Sequence, residues 1–319
     1  MKKSTILYIV IPCYNESECL PQTTKLLLQK IRTLKSKKQI SEKSRIVYVN
    51  DGSKDNTWDI IKKQNNSNPE IIGLKLSRNS GHQNALLAGL MYAKEYADAT
   101  ISMDADLQDD INAIERMLEK FDNGYEIVYG VRSERKTDSF FKRHTAQSFY
   151  KIMSLLGVKL VYNAADYRLM SKRALNELAN YPETNLFLRG IVPLIGLKWT
   201  TVEYKRSKRF AGESKYPLKK MLSFAWDGIT SFSIKPLRLV LALGVIVFFI
   251  SLIILIYILI RYLTGETVTG WAFISCSIWI VGSIQMICIG LIGEYIGKIY
   301  AETKQRPKYL IEEIINEES

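Results

Sequence analysis

The sequence contains few of the residues that build disulfide frameworks or transition-metal sites. It has 319 residues but four cysteines, with no C-x-x-C pair, and two histidines. The cysteines are Cys13, Cys19, Cys276 and Cys288, and the histidines are His82 and His144. Neither a disulfide framework nor a zinc site is indicated, and a histidine-rich metal centre is disfavoured.

A signal peptide is not indicated, and acidic residues are outnumbered by basic ones. The first apolar run, residues 6–11, is short and has no cleavage site after it, so we expect a strand there. The formal net charge is +12. A basic surplus suits nucleic acid, an anionic membrane surface or phosphorylated substrates. Two long apolar runs near the C-terminus favour the second and third of these partners.

Strand and helix patterns alternate through the first part of the chain. Buried-strand patterns occur at 6–11, 45–50, 71–76, 100–103 and 126–130, with helical patterns between the first four. This βαβ spacing predicts an α/β fold, in which helices cover both faces of a mostly parallel sheet. Parallel strands bring their carboxyl ends to one edge of the sheet, so the polar residues that follow the first four strands should converge there.

The fourth strand pattern ends in the sequence Asp-Ala-Asp-Leu-Gln-Asp at residues 104–109. Carboxylate and amide oxygens suit Mg²⁺ or Mn²⁺, which often bind through one or two carboxylates plus substrate phosphates. Asp104, Asp106 and Gln108 are therefore candidate metal ligands. An ordinary polar turn is the alternative, because short acidic motifs occur by chance.

Two segments of the second half combine basic residues with an apolar face. Residues 140–156 mix aromatic, aliphatic and basic side chains, and residues 217–229 carry apolar side chains at helical spacing beside lysines. Helices of this composition often lie in a membrane interface. Packing on the core of the domain is the alternative.

Two apolar runs near the C-terminus are long enough to cross a bilayer. Residues 239–260 contain no charge over 22 residues, roughly 33 Å of helix. Residues 271–293 form the second run, and lysines and arginines flank the pair while the connecting loop has only Arg261. The positive-inside rule therefore predicts that both termini are cytoplasmic. Two long buried core helices are the alternative.

These patterns divide the chain into four parts. We predict a cytoplasmic α/β domain over 1–215, an interfacial amphipathic helix over 216–236, a two-helix transmembrane hairpin over 237–297 and a cytoplasmic tail over 298–319. Glycines at 282, 290, 293 and 297 permit close helix contacts, which points to a homo-oligomer as one option.

Six segments occur in the order found in a known family. They are residues 10–16, 49–57, 77–84, 104–109, 165–170 and 206–216. On these segments the chain resembles glycosyltransferase family 2, and within it the polyprenyl-phosphate glycosyltransferases that include dolichol-phosphate mannose synthase and bactoprenol glucosyltransferases. The resemblance covers most of residues 5–220. It implies a GT-A (Rossmann-like) nucleotide-sugar domain, inverting chemistry and a lipid-phosphate acceptor. The two C-terminal runs are more similar to the bactoprenol branch.

The resemblance also implies roles for individual residues. Residues implied to bind the nucleotide sugar are Pro12, Tyr14, Glu16, Asp51, Asp104, Ala105 and Asp106. Asp104, Asp106 and Gln108 would hold Mg²⁺ or Mn²⁺, and Asp106 and Asp166 are the catalytic candidates. Asp166 matches the proposed catalytic base. A phosphate monoester has a second pKa near 6, so the acceptor is already largely ionised at neutral pH, and we expect Asp166 mainly to orient the reactants.

Donor and acceptor phosphates repel each other, so cations should line the site. Arginine forks match phosphate oxygens. Candidates for the acceptor phosphate are Arg132, Arg143 and Arg168, and those for the donor diphosphate are Arg206, Arg209 and Lys215. A solvated surface charge is the alternative for each, and His82 at a motif position is alternatively a helix cap.

The favoured function is inverting transfer of one hexose from a UDP-sugar to undecaprenyl phosphate at the cytoplasmic face of a cell membrane, with release of UDP. Processive synthases of the superfamily carry a Q-x-x-R-W motif and more spans, and neither occurs here. By resemblance, glucose is the first choice of sugar and N-acetylglucosamine the second. Residues 162–165 depart from the family's common forms, which leaves the identity of the sugar open. A nucleotidyltransferase and a catalytically silent membrane adaptor are the rival functions. No nucleic acid partner is expected.

Overall fold

The computed structural model describes residues 4–133, 161–184, 186–205, 229–231, 233–264 and 270–316. The chain divides into two compact units. The first unit holds the described residues up to 205 together with 306–316, and the second holds the remaining described residues. The predicted interfacial helices at 140–156 and 216–236 lie mostly or entirely outside the described residues.

The first unit consists of a sheet and the helices that connect its strands. Its strands are β1 Leu7–Cys13, β2 Arg45–Asn50, β3 Ile71–Leu76, β4 Ala99–Ser102, β5 Ile127–Arg132, β6 Ala164–Ser171, β7 Trp199–Tyr204 and β8 Ile311–Ile315. Its helices, within the described residues, are α1 Leu20–Ser36, α2 Thr57–Ser67, α3 His82–Tyr96, α4 Ala113–Asp122, α5 Lys172–Ala179 and α6 Leu188–Leu194.

The strands form one eight-stranded sheet in the order β7-β5-β6-β4-β1-β2-β3-β8. The four central strands β4, β1, β2 and β3 are parallel, as are β5 and β7. β6 runs antiparallel to β4 and β5, and β8 runs antiparallel to β3. The predicted mostly parallel α/β fold is confirmed, and the carboxyl ends of β1 to β4 lie at one edge of the sheet.

Helices cover both faces of this sheet. Neighbouring residues of a strand point to opposite faces, and in the inner strands both sets of side chains are buried. Tyr48 of β2 lies in the core cluster on one face, where its hydroxyl is 2.9 Å from Thr24 Oγ1 of α1. Val49, the next residue, faces α3. Gly89 of α3 lies so close to it that an added Cβ would come within 2.7 Å of Val49 Cγ2. The absence of a side chain at Gly89 therefore sets how closely α3 approaches the sheet.

Three strands were not predicted from the sequence. β6 contains Asp166 and Arg168, which are both buried and interrupt the apolar pattern that marks an inner strand. Their opposite charges lie 2.7 Å apart, which satisfies each buried group. β7 has alternate exposed residues, and β8 is only five residues long. None of the three therefore shows a continuous apolar run.

The C-terminal strand β8 forms one edge of the sheet and packs closely against β3. Ile315 packs over Gly73 of β3, where an added Cβ would lie 2.6 Å from Ile315 Cγ1. Glu313 pairs with Lys62 at 2.8 Å and accepts a hydrogen bond from Trp58 Nε1 at 3.2 Å. Residues 298–319 were predicted to form a tail. Part of that segment instead completes the sheet of the first unit.

Gly73→Ala is expected to lower the free energy of unfolding by about 1–3 kcal/mol, because the new methyl group overlaps Ile315 and Ile61. Ile315→Ala removes one of the overlapping side chains. The double variant should therefore lose less stability than the sum of the two single variants. Denaturant unfolding of the full chain in detergent measures all four proteins. Additive losses would show that β8 is not seated on Gly73.

The second unit contains two long helices, α7 Lys235–Leu263 and α8 Trp271–Lys304. Both are long and apolar enough to cross a membrane, and large side chains such as Leu241 and Met286 are 69% and 70% exposed. Exposed apolar surface on this scale favours burial in lipid. At one end Lys298 Nζ donates to Ser231 Oγ at 3.2 Å. The predicted apolar runs are therefore confirmed as helices suited to membrane association.

Candidate active site

The loops that follow β1 and β2 are joined by hydrogen bonds at the carboxyl edge of the sheet. The backbone N–H of Glu16 donates to Thr57 Oγ1 at 2.9 Å. Asn15 has a φ of 55°, a left-handed conformation that asparagine tolerates. Pro12 lies inside β1, and Tyr14 projects beyond it with an exposed ring. Three of the residues predicted to hold uridine therefore lie close together in the chain, at the end of β1 and in the turn that follows it.

Asp51 joins the loop after β2 to the loop after β3. Its Oδ1 accepts from Ser80 N–H at 2.6 Å, and its Oδ2 accepts from Gly81 N–H at 3.0 Å. Burial raises the pKa of Asp51, and these two backbone hydrogen bonds oppose the rise. Gly52 has a φ of 62°, and an added Cβ would lie 2.5 Å from Asn79 N. This approach of two backbones explains why glycine follows Asp51.

The loop after β4 carries the acidic motif and is held from two sides. Thr23 Oγ1 of α1 donates to the carbonyl oxygen of Ala105 at 2.7 Å. Gln108 N–H donates to Asp106 Oδ1 at 3.2 Å. Asp106 is buried, whereas the side chain of Asp104 is 40% exposed. The exposed carboxylate is the one that a ligand at the sheet edge can reach directly.

His82, the first residue of α3, connects this loop to β6. Its Nε2 lies 3.7 Å from Asp104 Oδ1 and 3.7 Å from Asp166 Oδ2. Burial raises the pKa of Asp104, His82 opposes the rise, and the carboxylates of Asp166 and Asp106 add to it. Negative charge therefore accumulates around Asp104, and a cation placed there would relieve it.

Asp104, Asp106 and Gln108 could supply two carboxylates and one amide oxygen to such a cation. Within the part of the chain that the structure describes, no group of three His, Cys, Asp or Glu side chains is arranged to hold a metal ion. A closed protein cage is therefore not indicated there. The residues present fit Mg²⁺ or Mn²⁺, which commonly complete their coordination with phosphate oxygens and water.

Asp166 of β6 accepts hydrogen bonds from two arginines. Arg168 Nη2 donates to Oδ1 at 2.7 Å, while Arg189 Nε donates to Oδ1 at 3.1 Å and Arg189 Nη2 to Oδ2 at 2.9 Å. Burial by itself would raise the pKa of Asp166. The charge of Arg189, the nearby imidazole of His82 and the charge of Arg168 outweigh it and hold the pKa well below its usual range. Asp166 is therefore ionised at neutral pH and is a weak proton acceptor.

The two arginines differ in what they can reach. Arg168 was predicted to bind the acceptor phosphate, but its side chain is 2% exposed and its Nη1 donates to Leu188 O at 3.4 Å. This buried position supports Asp166 and leaves little of the guanidinium exposed for a phosphate. Arg189 is 46% exposed and was not predicted. Its one signal in the sequence is a charged residue within an otherwise apolar stretch.

Comparison with known proteins decides the family. Residues 8–179, more than half of the chain, match Glycosyl transferase family 2. The chain belongs to glycosyltransferase family 2. Residues 235–299 also match the GtrB C-terminal hairpin. The predicted family, the GT-A fold and the predicted enzyme class are confirmed, and the chain is a glycosyltransferase.

Full-length relatives agree with this assignment. The glycosyltransferase is 54% identical over 320 residues to the uncharacterized glycosyltransferase YkoT of Bacillus subtilis (strain 168), covering 100% of this chain and 95% of that protein. It is 40% identical over 305 residues to the bactoprenol glucosyl transferase of Shigella phage SfX, covering 95% of this chain and 97% of that protein. The solved structure of glucosyl-3-phosphoglycerate synthase from Mycobacterium tuberculosis with Mn²⁺, UDP and phosphoglyceric acid has a TM-score of 0.44 at 12% identity, covering 71% and 76% of the two chains.

The last carboxylate of the acidic motif, Asp109, contacts β7 of the glycosyltransferase. Tyr204 OH of β7 donates to Asp109 Oδ1 at 2.6 Å. Burial raises the pKa of Asp109 to about 6, Asp104 adds to the rise, and Tyr204 and Arg132 oppose it. Asp109 Oδ2 and Arg132 Nε are buried without a hydrogen-bond partner in the described part of the chain. The predicted role of Arg132 at the acceptor phosphate stays a prediction.

Asp109 should make the stability of the glycosyltransferase depend on pH. Its pKa is about 6 in the folded chain and about 3.9 in an unfolded one. The folded state therefore binds the proton more tightly, and stability should fall as pH rises from about 4 to about 6. Asp109→Asn removes this titration but keeps an oxygen for Tyr204. The free energy of unfolding of the variant, minus that of wild type, should be higher by on the order of 2 kcal/mol at about pH 7.5 than at about pH 4.5.

Thermal unfolding of the full chain in detergent with EDTA measures this difference at both pH values. EDTA keeps metal binding at Asp104 from adding a second pH-dependent contribution. A difference between variant and wild type that is the same at both pH values would contradict the raised pKa of Asp109.

Several predicted phosphate-binding residues lie outside the described residues. They are Arg143, Arg206, Arg209 and Lys215. Their roles remain predictions from the resemblance. Within the described residues, the structure brings together Asp51, Asp104, Asp106 and Asp166 at the sheet edge and adds His82 and Arg189 to them.

Proposed function

We propose that this glycosyltransferase transfers one hexose from a UDP-sugar to a polyprenyl phosphate, with inversion, and releases UDP. Glucose is the preferred sugar. The main support is the arrangement around His82, where carboxylates from the ends of two strands, Asp104 and Asp166, each lie 3.7 Å from one imidazole nitrogen. A donor site and a site for an attacking group are thereby adjacent. The name of the Shigella phage relative, a bactoprenol glucosyl transferase, supports this sugar and this acceptor.

The nucleoside of the donor is assigned to the edge formed by the loops after β1, β2 and β3. Each oxygen of Asp51 accepts one backbone hydrogen bond and has a further lone pair, which can accept from the uracil N–H. The exposed ring of Tyr14 offers an apolar face to the base. Pro12, at the end of β1, and Glu16, in the turn after it, complete the predicted uridine site.

The diphosphate of the donor is assigned to the loop after β4. Asp104, Asp106 and Gln108 would hold Mg²⁺ or Mn²⁺ against its oxygens. Such an ion, when bound, offsets the charge that develops on departing UDP. The hydrogen bonds of Thr23 to Ala105 and of Gln108 to Asp106 hold this loop in place before the donor arrives.

The attacking group is an oxygen of the acceptor phosphate. It forms the new bond to the anomeric carbon of the sugar while the bond from that carbon to the UDP oxygen breaks, on the opposite side. Because a phosphate monoester is already mostly ionised at neutral pH, the step requires little proton removal. We assign to Asp166 the orientation of sugar and acceptor, since its low pKa makes it a poor base.

A polyprenyl acceptor lies in the bilayer, and the two apolar helices would hold the enzyme in the same membrane. Lys235 and Arg238 lie at the start of α7, and Lys298 and Lys304 lie near the end of α8. Basic residues at these ends support a cytoplasmic position for both, by the positive-inside rule. The catalytic unit would then work at the cytoplasmic face, where UDP-sugars are supplied.

Purified full-length protein in lipid nanodiscs tests the proposal. It is incubated with undecaprenyl phosphate, Mg²⁺ and either UDP-glucose or UDP-N-acetylglucosamine, and UDP and lipid-linked sugar are quantified together. Equal amounts of UDP and glucosyl lipid, both absent with Asp104→Asn, are the expected result. Release of pyrophosphate in a parallel incubation with UTP and glucose 1-phosphate would indicate a nucleotidyltransferase, and no product in any incubation would indicate an adaptor. Either outcome would overturn the proposed function.

A further inference from the structure

The wall of the site formed by β6 and α6 carries more positive than negative charge. Asp166 is one carboxylate, yet it contacts the guanidinium groups of both Arg168 and Arg189. His82 of α3 lies 3.7 Å from both Asp166 and Asp104, so a second carboxylate offsets its charge. On β6 and α6 themselves, the one carboxylate of Asp166 faces two guanidinium groups and cannot offset both. An additional anion is therefore favoured at this wall when substrates bind.

Arg189 is the member of this wall that can meet a substrate. Arg168 is 2% exposed and is enclosed by Asp166 and the carbonyl oxygen of Leu188, whereas Arg189 is 46% exposed. A guanidinium carries five N–H donors in a planar fork. Asp166 accepts hydrogen bonds from Nε and Nη2 of Arg189, which fixes the plane of the group. Nearly half of the side chain is exposed all the same.

The backbone beside Arg189 is also held in place. Leu188 N–H donates to Gln83 Oε1 of α3 at 2.8 Å, and Leu188 O accepts from Arg168 Nη1 at 3.4 Å. Both polar groups of the preceding residue are therefore used to attach the start of α6 to α3 and β6. A side chain that is oriented in this way loses little freedom on binding an anion.

The order of the sheet separates the two phosphate groups of the reaction. The nucleoside loops follow β1, β2 and β3, the acidic motif follows β4, and Asp166 lies on β6, on the other side of β4. In an inverting displacement the attacking group approaches opposite to the leaving group. With UDP on the β1 side of Asp104, the attacking phosphate belongs on the β6 side, where Arg189 lies.

We propose that Arg189 binds the phosphate of the acceptor lipid, and that Asp166 holds its guanidinium in the orientation needed for this contact. The identity of the acceptor rests on the proposed function. The contact itself is a fork of arginine N–H groups on phosphate oxygens, which gives both charge and direction to the interaction.

Lipid binding without donor tests Arg189 independently of sugar transfer. The full-length protein in nanodiscs is titrated with undecaprenyl phosphate and with undecaprenol, and bound lipid is measured by native mass spectrometry. Wild type should prefer the phosphate. Arg189→Ala should lose about 10- to 100-fold in affinity for the phosphate lipid and bind the alcohol as before. Arg189→Lys keeps the charge but not the fork, so its affinity for the phosphate lipid should lie between those of wild type and Arg189→Ala.

Arg173→Ala is the matched control, since Arg173 is an exposed arginine of α5 that lies 3.9 Å from Glu126. It should bind both lipids like wild type, within about twofold. Equal binding of phosphate and alcohol by wild type would overturn the proposal. So would a preference for phosphate that persists in Arg189→Ala, or a loss of UDP affinity in that variant as large as its loss of lipid affinity.

The two proposals fail in different ways. If Arg189→Ala loses its preference for the phosphate lipid but wild type transfers no sugar, the acceptor contact stands and the proposed function is wrong. If wild type transfers sugar and Arg189→Ala keeps both lipid affinity and acceptor KM, the reverse holds. Melting temperatures of all variants exclude unfolding as the cause of a loss.

Discussion

Asp104→Asn is expected to lower the turnover of the glycosyltransferase by about 10³-fold or more. The substitution keeps the size of the side chain but removes the exposed negative charge at the centre of the acidic motif. A cation on the donor diphosphate would lose its most accessible carboxylate, and the charge on departing UDP would be left without compensation. Single-turnover transfer of labelled glucose and titration with Mn²⁺ measure the two effects separately.

Asp110→Asn is the matched control for this experiment. Asp110 lies in the same loop, its Oδ1 accepts from Asn112 N–H at 2.9 Å, and an asparagine keeps that oxygen. Turnover within about twofold of wild type is expected for it. Asp104→Asn that retains a tenth or more of wild-type activity would contradict the assignment of the motif to the diphosphate.

Asp166→Asn is expected to lower kcat by about 10²-fold, the size of effect that misplaced reactants produce. An asparagine keeps one oxygen but cannot neutralise Arg168 and Arg189. The sugar and the acceptor phosphate are then no longer held in the orientation that the reaction needs. The pKa of Asp166 lies well below its usual range, and this carboxylate is charged at every pH where the enzyme is assayed. Its own protonation should therefore leave no step in the rate.

The pH–rate profile separates positioning from base catalysis. Wild type should lose activity below about pH 6, as the acceptor phosphate takes up its second proton. Asp166→Asn should show the same acid limb at a lower rate. A profile in which the variant loses that limb would show instead that Asp166 removes a proton. The assay uses saturating donor so that the limb reports on the acceptor.

The strands that a continuous apolar run marks in the sequence were predicted correctly. β1 to β4 are short apolar runs between helices, and each is buried on both faces, so composition by itself marks them. The acidic loop after β4 followed from the same reasoning, because parallel strands must end at one edge. β6, β7 and β8 were missed. In β6, for example, Asp166 and Arg168 are buried where the pattern of an inner strand requires apolar residues.

The site residues divide in the same way. Asp51, Asp104 and Asp106 lie next to strand ends, and their positions follow from the order of the elements. His82 and Arg189 gain their importance only from contacts with Asp166, which come from α3 and α6. No local pattern reports such contacts, because they join segments that are far apart in the chain.

The sequence by itself determined the class of fold, the family, the edge at which polar residues collect and the two helices suited to a membrane. The family follows from motifs that resemble those of known members, and the other three depend on periodicity, composition or spacing along the chain. Tertiary structure decided that Asp166 is ion-paired with two arginines, and that the side chain of Arg168 is buried while that of Arg189 is partly exposed. It also decided that β8 joins the sheet of the first unit. Those features depend on burial and on distances between remote side chains, which exist only once the sheet has formed.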